Sequence, residues 1–336
     1  MSKVSDERTP LKEETKFINN HFLIKKHIEI SFFILCALTI LSIFNFPFAL
    51  LFTTLSHQVP DSDLFTKGNN DVFRICFWFL LFILGRTFFT TKVLLPIGVS
   101  YGIPRYSTLM SKFLQQGLYA VYYTASWSIG MYLLKESPYG FDFRQLWASY
   151  PYIEFTRNFK EYYLAQFGFW ISEFYFVHVE PRRKDHLNML VHHLITISLI
   201  FTSYLGNFTP FGHVILVMMD LPDVLLSSAK VMNYIKFQTL TDTLFGLFTI
   251  VWLFLRHFAF IYLLYVIAYD PLNLRIPMEW SPEKGIYLTW PMLSMFLALL
   301  SGLQVLMVIW FFMICKVIAK VISGAKAEDI RSDDED

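Results

Sequence analysis

The residues best suited to acid–base or nucleophilic chemistry are a histidine pair, His192 and His193, and an aspartate pair, Asp220 and Asp223. Histidine changes charge near neutral pH, and a carboxylate beside it can orient one ring nitrogen and leave the other for a proton or an acyl carbon. Both pairs lie in apolar runs, where an ionisable group is costly and marks function by default. Asp185, Asn188, His192, Thr196 and Ser203 recur at intervals that set them along one stripe of a helix, and His193 points about 100° away from it. His213, Asp220, Asp223, Ser227 and Lys230 form a second stripe on the following helix. His192 and Asp223 are each about 15 residues from the turn at Asn207 and Phe208, so an antiparallel hairpin brings them to one depth, roughly 10–12 Å from the charges of Lys184 and Lys230. The two polar faces are expected to meet, with Asp223 orienting His192 and Pro222 kinking the second helix beside them. Glu173 and the Arg256-His257 pair are further intramembrane polar groups, with Glu173 or a substrate headgroup as the expected partner of Arg256. His213 and His257, taken singly, read as hydrogen-bonding groups between helices. Adjacent histidines diverge on a helix, whereas metal-ligand pairs use i, i+4 spacing, so no metal site and no cofactor are expected.

The elements that position these residues follow from composition. Of 336 residues, 55% are hydrophobic and only 16% charged, against about 25% charged in a typical soluble domain. Mean hydropathy is +0.45. This excludes a water-soluble enzyme, a nucleic-acid binder and a disordered chain. Net charge is +1, which calls for no polyanionic partner. Cys36, Cys76 and Cys315 each sit in an apolar run and form neither a disulfide framework nor a zinc pattern.

Residues 1–28 are polar and basic, and the apolar run behind them, over 29–56, is too long for a cleavable signal and reads as a first transmembrane helix. Further apolar segments at 72–96, 112–134, 159–179, 187–205, 211–234, 240–268 and 286–320 predict an all-α polytopic membrane protein of about eight spans, a helical bundle whose catalytic membrane domain covers 72–320 and is followed by an acidic tail, 321–336. Both termini are then cytosolic. Lysine and arginine favour that side at Arg182, Arg183, Lys184, Lys230, Lys236, Lys316 and Lys320, while the group Lys135, Arg144, Arg157 and Lys160 runs against it. The sequon at Asn207 lies in a turn too short to stand clear of the membrane, so glycosylation is not expected there.

The run Arg182-Arg183-Lys184-Asp185, then His192-His193, Ser203-Tyr204, Asp220-Leu221-Pro222-Asp223, Lys230 and Asn233-Tyr234 resembles the signature of ceramide synthases, in particular their fungal branch within the TLC-domain membrane proteins. Asp329-Ile330-Arg331-Ser332-Asp333-Asp334-Glu335 is similar to the acidic tail motif of the same family. Met219 departs from the pattern of many animal members, which have histidine there, so no catalytic role is carried over to that position. The resemblance implies a TLC-type helical barrel formed by the later six or seven helices, in the endoplasmic reticulum membrane. It implies acyl transfer from a long- or very-long-chain acyl-CoA, as co-substrate, to the amine of a sphingoid base. His192, His193, Asp220 and Asp223 would be catalytic, and Arg182, Arg183, Lys184, Lys230 and Lys236 would border a mouth for the CoA phosphates. It further implies membrane lipids as surroundings, a homo- or heterodimer and a small single-span accessory subunit. His192 would act as a nucleophile, through an acyl-imidazole, or as a general base on the amine. The alternative is a non-enzymatic TLC relative that senses lipid or assists membrane insertion. Ser332, followed by Asp333, Asp334, Glu335 and Asp336, is the expected site of an acidic-directed kinase.

Overall fold

The computed structural model describes residues 28–180 and 185–322. Most of them are helical, as a chain in hydrocarbon must be when no water can satisfy backbone amides. α1 (Ile28–Ile43) and α2 (Pro47–Thr53) precede α3 (Asp71–Ser100), α4 (Thr108–Glu136), α5 (Arg157–Val179), α6 (His186–Leu205), α7 (Thr209–Tyr234), α8 (Gln238–Asn273) and α9 (Trp290–Ile322). β1 (Leu64–Phe65) and β2 (Phe155–Thr156) pair antiparallel and tie the connection after α2 to the start of α5.

Every apolar segment of the sequence is helix, but the segments are not equivalent. α3, α6, α8 and α9 are long and apolar enough to cross a membrane, which makes the chain a multi-pass membrane protein. The first segment is not the single helix expected: α1 and α2 are bent by 116°. Asn45 adopts a left-handed conformation at φ 56° and Pro47 then starts α2, so the helical ladder cannot run through. α4, α5 and α7 are less apolar because Gln116, Ser126, Gln166, Glu173 and Asp220 are turned inward and buried. Large apolar residues such as Phe33, Phe44, Ile250, Phe258 and Phe312 are exposed, as lipid-facing side chains are.

The helices close into a ring. α3 packs on α5, α5 on α6, α6 on α9, α9 on α8, α8 on α7 and α7 on α4, which returns to the C-terminal part of α3. One end of the ring is closed by the connections between helices, where Tyr139, Trp147, Phe208 and Leu288 are buried, and is stapled by buried charge. Lys160, 0% exposed, pairs with Asp71 at 2.6 Å and donates to the carbonyls of Ser56 (2.8 Å) and Thr66 (2.7 Å). The second carboxylate oxygen of Asp71 accepts from Tyr204 Oη at 2.7 Å and the Gly68 amide at 2.8 Å. Lys160 is therefore no loop charge, and its place in the sequence says nothing about which side of the membrane it marks. At the same end Lys67 donates to the Leu205 carbonyl and lies 4.5 Å over the Tyr287 ring, and burial lowers its pKa to about 8. Asn207 makes the α6–α7 turn at φ 60°, and its buried amide donates to Gly285 O at 2.7 Å, so the sequon side chain is enclosed.

Two helices carry a π turn, Thr90–Leu94 in α3 and Phe254–Ala259 in α8. The second widens the helix where Arg256 and His257 occur, and both side chains are buried. Such turns are frequent at functional sites.

Candidate active site

Helices α4 to α9 all contribute to one cavity. Its walls carry Glu173 from α5, His192 and His193 from α6, Asp223 and Lys230 from α7, and Arg256 from α8. On the closed-end side of His192 the lining is apolar, with Leu199, Ile200, Ile215 and Phe296, while Asp185 and Lys230 lie towards the opposite end. His192 thus stands between a polar and an apolar part of the cavity.

The imidazole of His192 is flanked by two indoles. Trp170 and Trp310 approach it edge to face, with ring centroids 5.4 and 5.3 Å away. Its Nδ1 is buried with no hydrogen-bond partner. His193 lies against Trp170 at 5.7 Å and also faces the cavity, so the 100° between neighbouring helical positions does not separate the pair: Trp170 fills the angle between them.

Asp223 does not orient His192. Its Oδ2 accepts from Arg256 Nη2 at 2.6 Å, and the same nitrogen donates to the Met219 carbonyl at 2.8 Å. Pro222 removes the donor that would pair the Met218 carbonyl, one residue before the Met219 carbonyl that Arg256 reaches. Arg256 is held from its other side by the Trp252 face at 4.0 Å. The expected pairing of Arg256 with Glu173 is replaced by this one, because Glu173 has a cation of its own. Arg86 of α3 donates to Glu173 at 2.9 Å and also binds Glu180, while Tyr119 Oη donates to the second oxygen of Glu173 at 2.7 Å.

Asp220 does not line the cavity. Its Oδ2 accepts from Ser126 Oγ at 2.5 Å, and Ser126 in turn accepts from Gln166, whose carbonyl oxygen accepts from Tyr122 at 2.7 Å. The stripe read from the sequence is wide enough to split: at about 100° per residue, Asp220 stands roughly 60° from Asp223, so one faces α4 and the other the cavity. His213, at the same edge of the stripe, bonds Tyr139 Oη at 2.8 Å and the Gly130 carbonyl at 2.9 Å, a helix-to-helix tie. His257 turns away from the cavity to Gln304 at 2.8 Å. Lys236 lies in the exposed turn after α7. Arg182, Arg183, Lys184 and Ser332 lie outside the described residues.

Sequence reasoning passed over Arg86, Trp170, Trp252 and Trp310. Arg86 carried a usable signal, a cation inside an apolar helix. The tryptophans carried none, since aromatic residues are abundant throughout the chain.

Residues 112–316 match the family model of the TLC domain. Among known proteins, the sphingosine N-acyltransferase lag1 of Schizosaccharomyces pombe is 35% identical over 317 residues, covering 93% of this chain and 79% of that one. Ceramide synthase LAG1 of Saccharomyces cerevisiae is 29% identical over 84% of this chain and 69% of its own length. Human ceramide synthase 5 is 35% identical over 67% of this chain and 55% of its own. With the matched region containing α6, α7 and the cavity between them, the chain belongs to the TLC-domain family and, within it, to the ceramide synthases, or sphingosine N-acyltransferases.

Proposed function

We propose that this protein transfers a fatty acyl group from acyl-CoA to the amine of a sphingoid base, giving ceramide or dihydroceramide and free CoA. The observation that carries the reading is the position of His192, a histidine at the junction of a polar and an apolar cavity. Both substrates have a polar reacting end and a long apolar tail, and such a junction is where the two divide. That favours an enzyme over a lipid sensor, for which a reactive side chain at this point would be a cost without use.

His192 acts as the nucleophile. The rings of Trp170, Trp310 and His193 surround it, and among the described residues no carboxylate forms an ion pair with it, so nothing of opposite charge is set against it to hold a proton there. Nitrogen attacks the thioester carbon, a C–N bond forms, and the carbonyl pair moves to oxygen. Collapse breaks the C–S bond and releases the CoA thiolate, and the proton on the other nitrogen of the acylated imidazole passes to it, giving neutral acyl-imidazole and free CoA. The neutral amine of the sphingoid base then attacks the acyl-imidazole, loses its proton and restores His192 as the amide leaves. Asp223, neutralised by Arg256, is placed to accept a hydrogen bond from a hydroxyl or amine of the second substrate. Asp220 acts through Ser126 on helix packing, not on the reacting atoms. Lys230, with Arg182, Arg183 and Lys184, binds the CoA phosphates, and Lys236 adds to the positive surface nearby. The acyl-CoA is a co-substrate and no further cofactor is required.

The same reading puts all eight apolar segments across the endoplasmic reticulum membrane with both termini cytosolic, a homo- or heterodimer as the assembly and a small single-span subunit as its partner. Purified protein in lipid nanodiscs, given a sphingoid base and acyl-CoAs of graded length, should form amide and release CoA in equal amounts. Neither product at any chain length would overturn the proposal.

A further inference from the structure

The apolar part of the cavity has a floor. Trp310 lies edge to face on the His192 ring, and from there along α9 the lining runs through Met307 and Leu303 to Phe296, fourteen residues before Trp310. At 1.5 Å per residue that is a depth of ~21 Å. On α6 the lining ends sooner, at Leu199 and Ile200, ~10–12 Å beyond His192. On α7 the deepest lining residue is Gly212, which has no side chain to narrow the space. Phe296 is therefore the ring that meets whatever extends from His192 towards the closed end.

Behind Phe296 is a second, smaller gap, too narrow for a water molecule. Trp147, Phe208, Phe211, Ile267, Leu293 and Phe296 line it, and Phe296 alone also lines the main cavity. Its ring is 3% exposed and lies 5.8 Å from that of Phe208. The indole N–H of Trp147 is already given to the Val266 carbonyl at 3.1 Å, so the walls of the gap offer an occupant nothing but carbon.

We infer that Phe296 sets the longest acyl chain the enzyme takes, as a partition between the cavity and this apolar gap. The inference rests on the acyl-transfer reading above and adds its determinant of chain length. With the acyl carbon bonded to His192, the hydrocarbon chain extends along the apolar lining, away from the polar end. An extended chain advances ~1.3 Å per carbon for bonds of ~1.5 Å, so a depth of ~21 Å takes about sixteen carbons before the chain meets the phenyl ring. A longer chain must displace that ring within close-packed walls, and overpacking of this kind is unfavourable. Leu293 stands one turn beyond Phe296 on α9, ~4.5 Å further, which is room for about three or four more carbons once the ring is shortened.

The test gives the full-length protein in lipid nanodiscs a sphingoid base and an equimolar mixture of saturated acyl-CoAs of about twelve to twenty-four carbons, and weighs the amides formed. Product ratios within one sample do not depend on how much of the protein is folded. Wild-type product should peak near sixteen carbons and fall steeply beyond. Phe296→Ala should raise the ratio of twenty-carbon to sixteen-carbon amide by about tenfold or more, the scale on which an apolar pocket discriminates added carbon, and Phe296→Leu should fall between. Leu303→Phe, which sets a ring two turns nearer His192, should lower the sixteen-carbon product relative to the twelve-carbon one by a similar factor. Unchanged ratios in all three variants, or a wild type that makes the twenty-four-carbon amide as readily as the sixteen-carbon one, would overturn the role of Phe296 and leave acyl transfer standing. So would a changed preference among sphingoid bases of different length with the acyl ratios unmoved, since that assigns this part of the cavity to the base. A wild-type protein that forms no amide in the same assay would sink the acyl-transfer reading, and this inference with it.

Discussion

At the closed end of the ring, Lys160 meets Asp71, Ser56 O and Thr66 O, and Tyr204 covers the remaining carboxylate oxygen. Around His192, by contrast, its own Nδ1, the Nδ1 of His193 and the indoles of Trp170 and Trp310 are buried with no partner. Both regions are polar and both lie among apolar helices, so polarity alone does not separate them. Charge pairing does. Lys160 and Asp71 neutralise each other and specify how α3, α5 and α6 pack. His192 and His193 line the cavity with no ion-pair partner among the described residues, which leaves their chemistry to a substrate.

The sharpest way to break this contrast is substitution at the two histidine neighbourhoods' centre. His192→Ala should lower amide synthesis by at least ~10²-fold while the protein still accumulates in membranes with its melting temperature intact. Activity within threefold of wild type, measured on the same amount of folded protein, would remove His192 from the mechanism.

Asp223 tests the border between the two kinds of region, because its ion pair with Arg256 joins α7 to α8 inside the cavity wall. Asp223→Ala should abolish activity and also destabilise the protein by about 3–5 kcal/mol, since it leaves a buried guanidinium unpaired. The double variant Asp223→Ala with Arg256→Met should regain stability and remain inactive. Recovery of both together in thermal melts and product assays would make the pair purely structural.

Lys160→Met should give the opposite pattern. Removing one partner of a fully buried pair costs about 3–5 kcal/mol, seen as earlier unfolding in detergent, while kcat per folded molecule stays at the wild-type level. A selective loss of kcat without loss of stability would show that the closed end takes part in the chemistry. The smallest effect is expected at the tail, where Ser332→Ala should shift activity modestly and leave KM for both substrates unchanged. Intact-protein mass spectrometry before and after phosphatase treatment, on protein from its native host, checks the premise, and an unmodified Ser332 would remove the expectation that a kinase acts there.

Much of this arrangement was legible in the sequence. Long apolar runs gave each helix to within a few residues, and the intramembrane pair His192 and Asp223 converges on one cavity as the numbering implied. What local patterns could not give was partner choice. Arg256 reaches Asp223 from α8 because α8 neighbours α7 in the ring, an adjacency that no period in one helix encodes. The same holds for Arg86, whose carboxylates come from α5. Lys160 misled for a related reason: charge counting treats a lysine near a helix start as solvated, and only the tertiary position of Asp71 reveals that it is not. The break between α1 and α2 was written in Asn45 and Pro47, but a hydropathy window averages over both residues.

The central claim is that His192 carries the acyl group between the two substrates. Incubating the purified protein with acyl-CoA in the absence of sphingoid base, then digesting it and weighing the peptides, tests that claim most directly. The account predicts an acyl mass increment on the peptide containing His192, one CoA released per protein, loss of the increment on adding sphingoid base, and no increment in His192→Ala. A protein that makes amide at full rate yet never holds an acyl group on that peptide would contradict it.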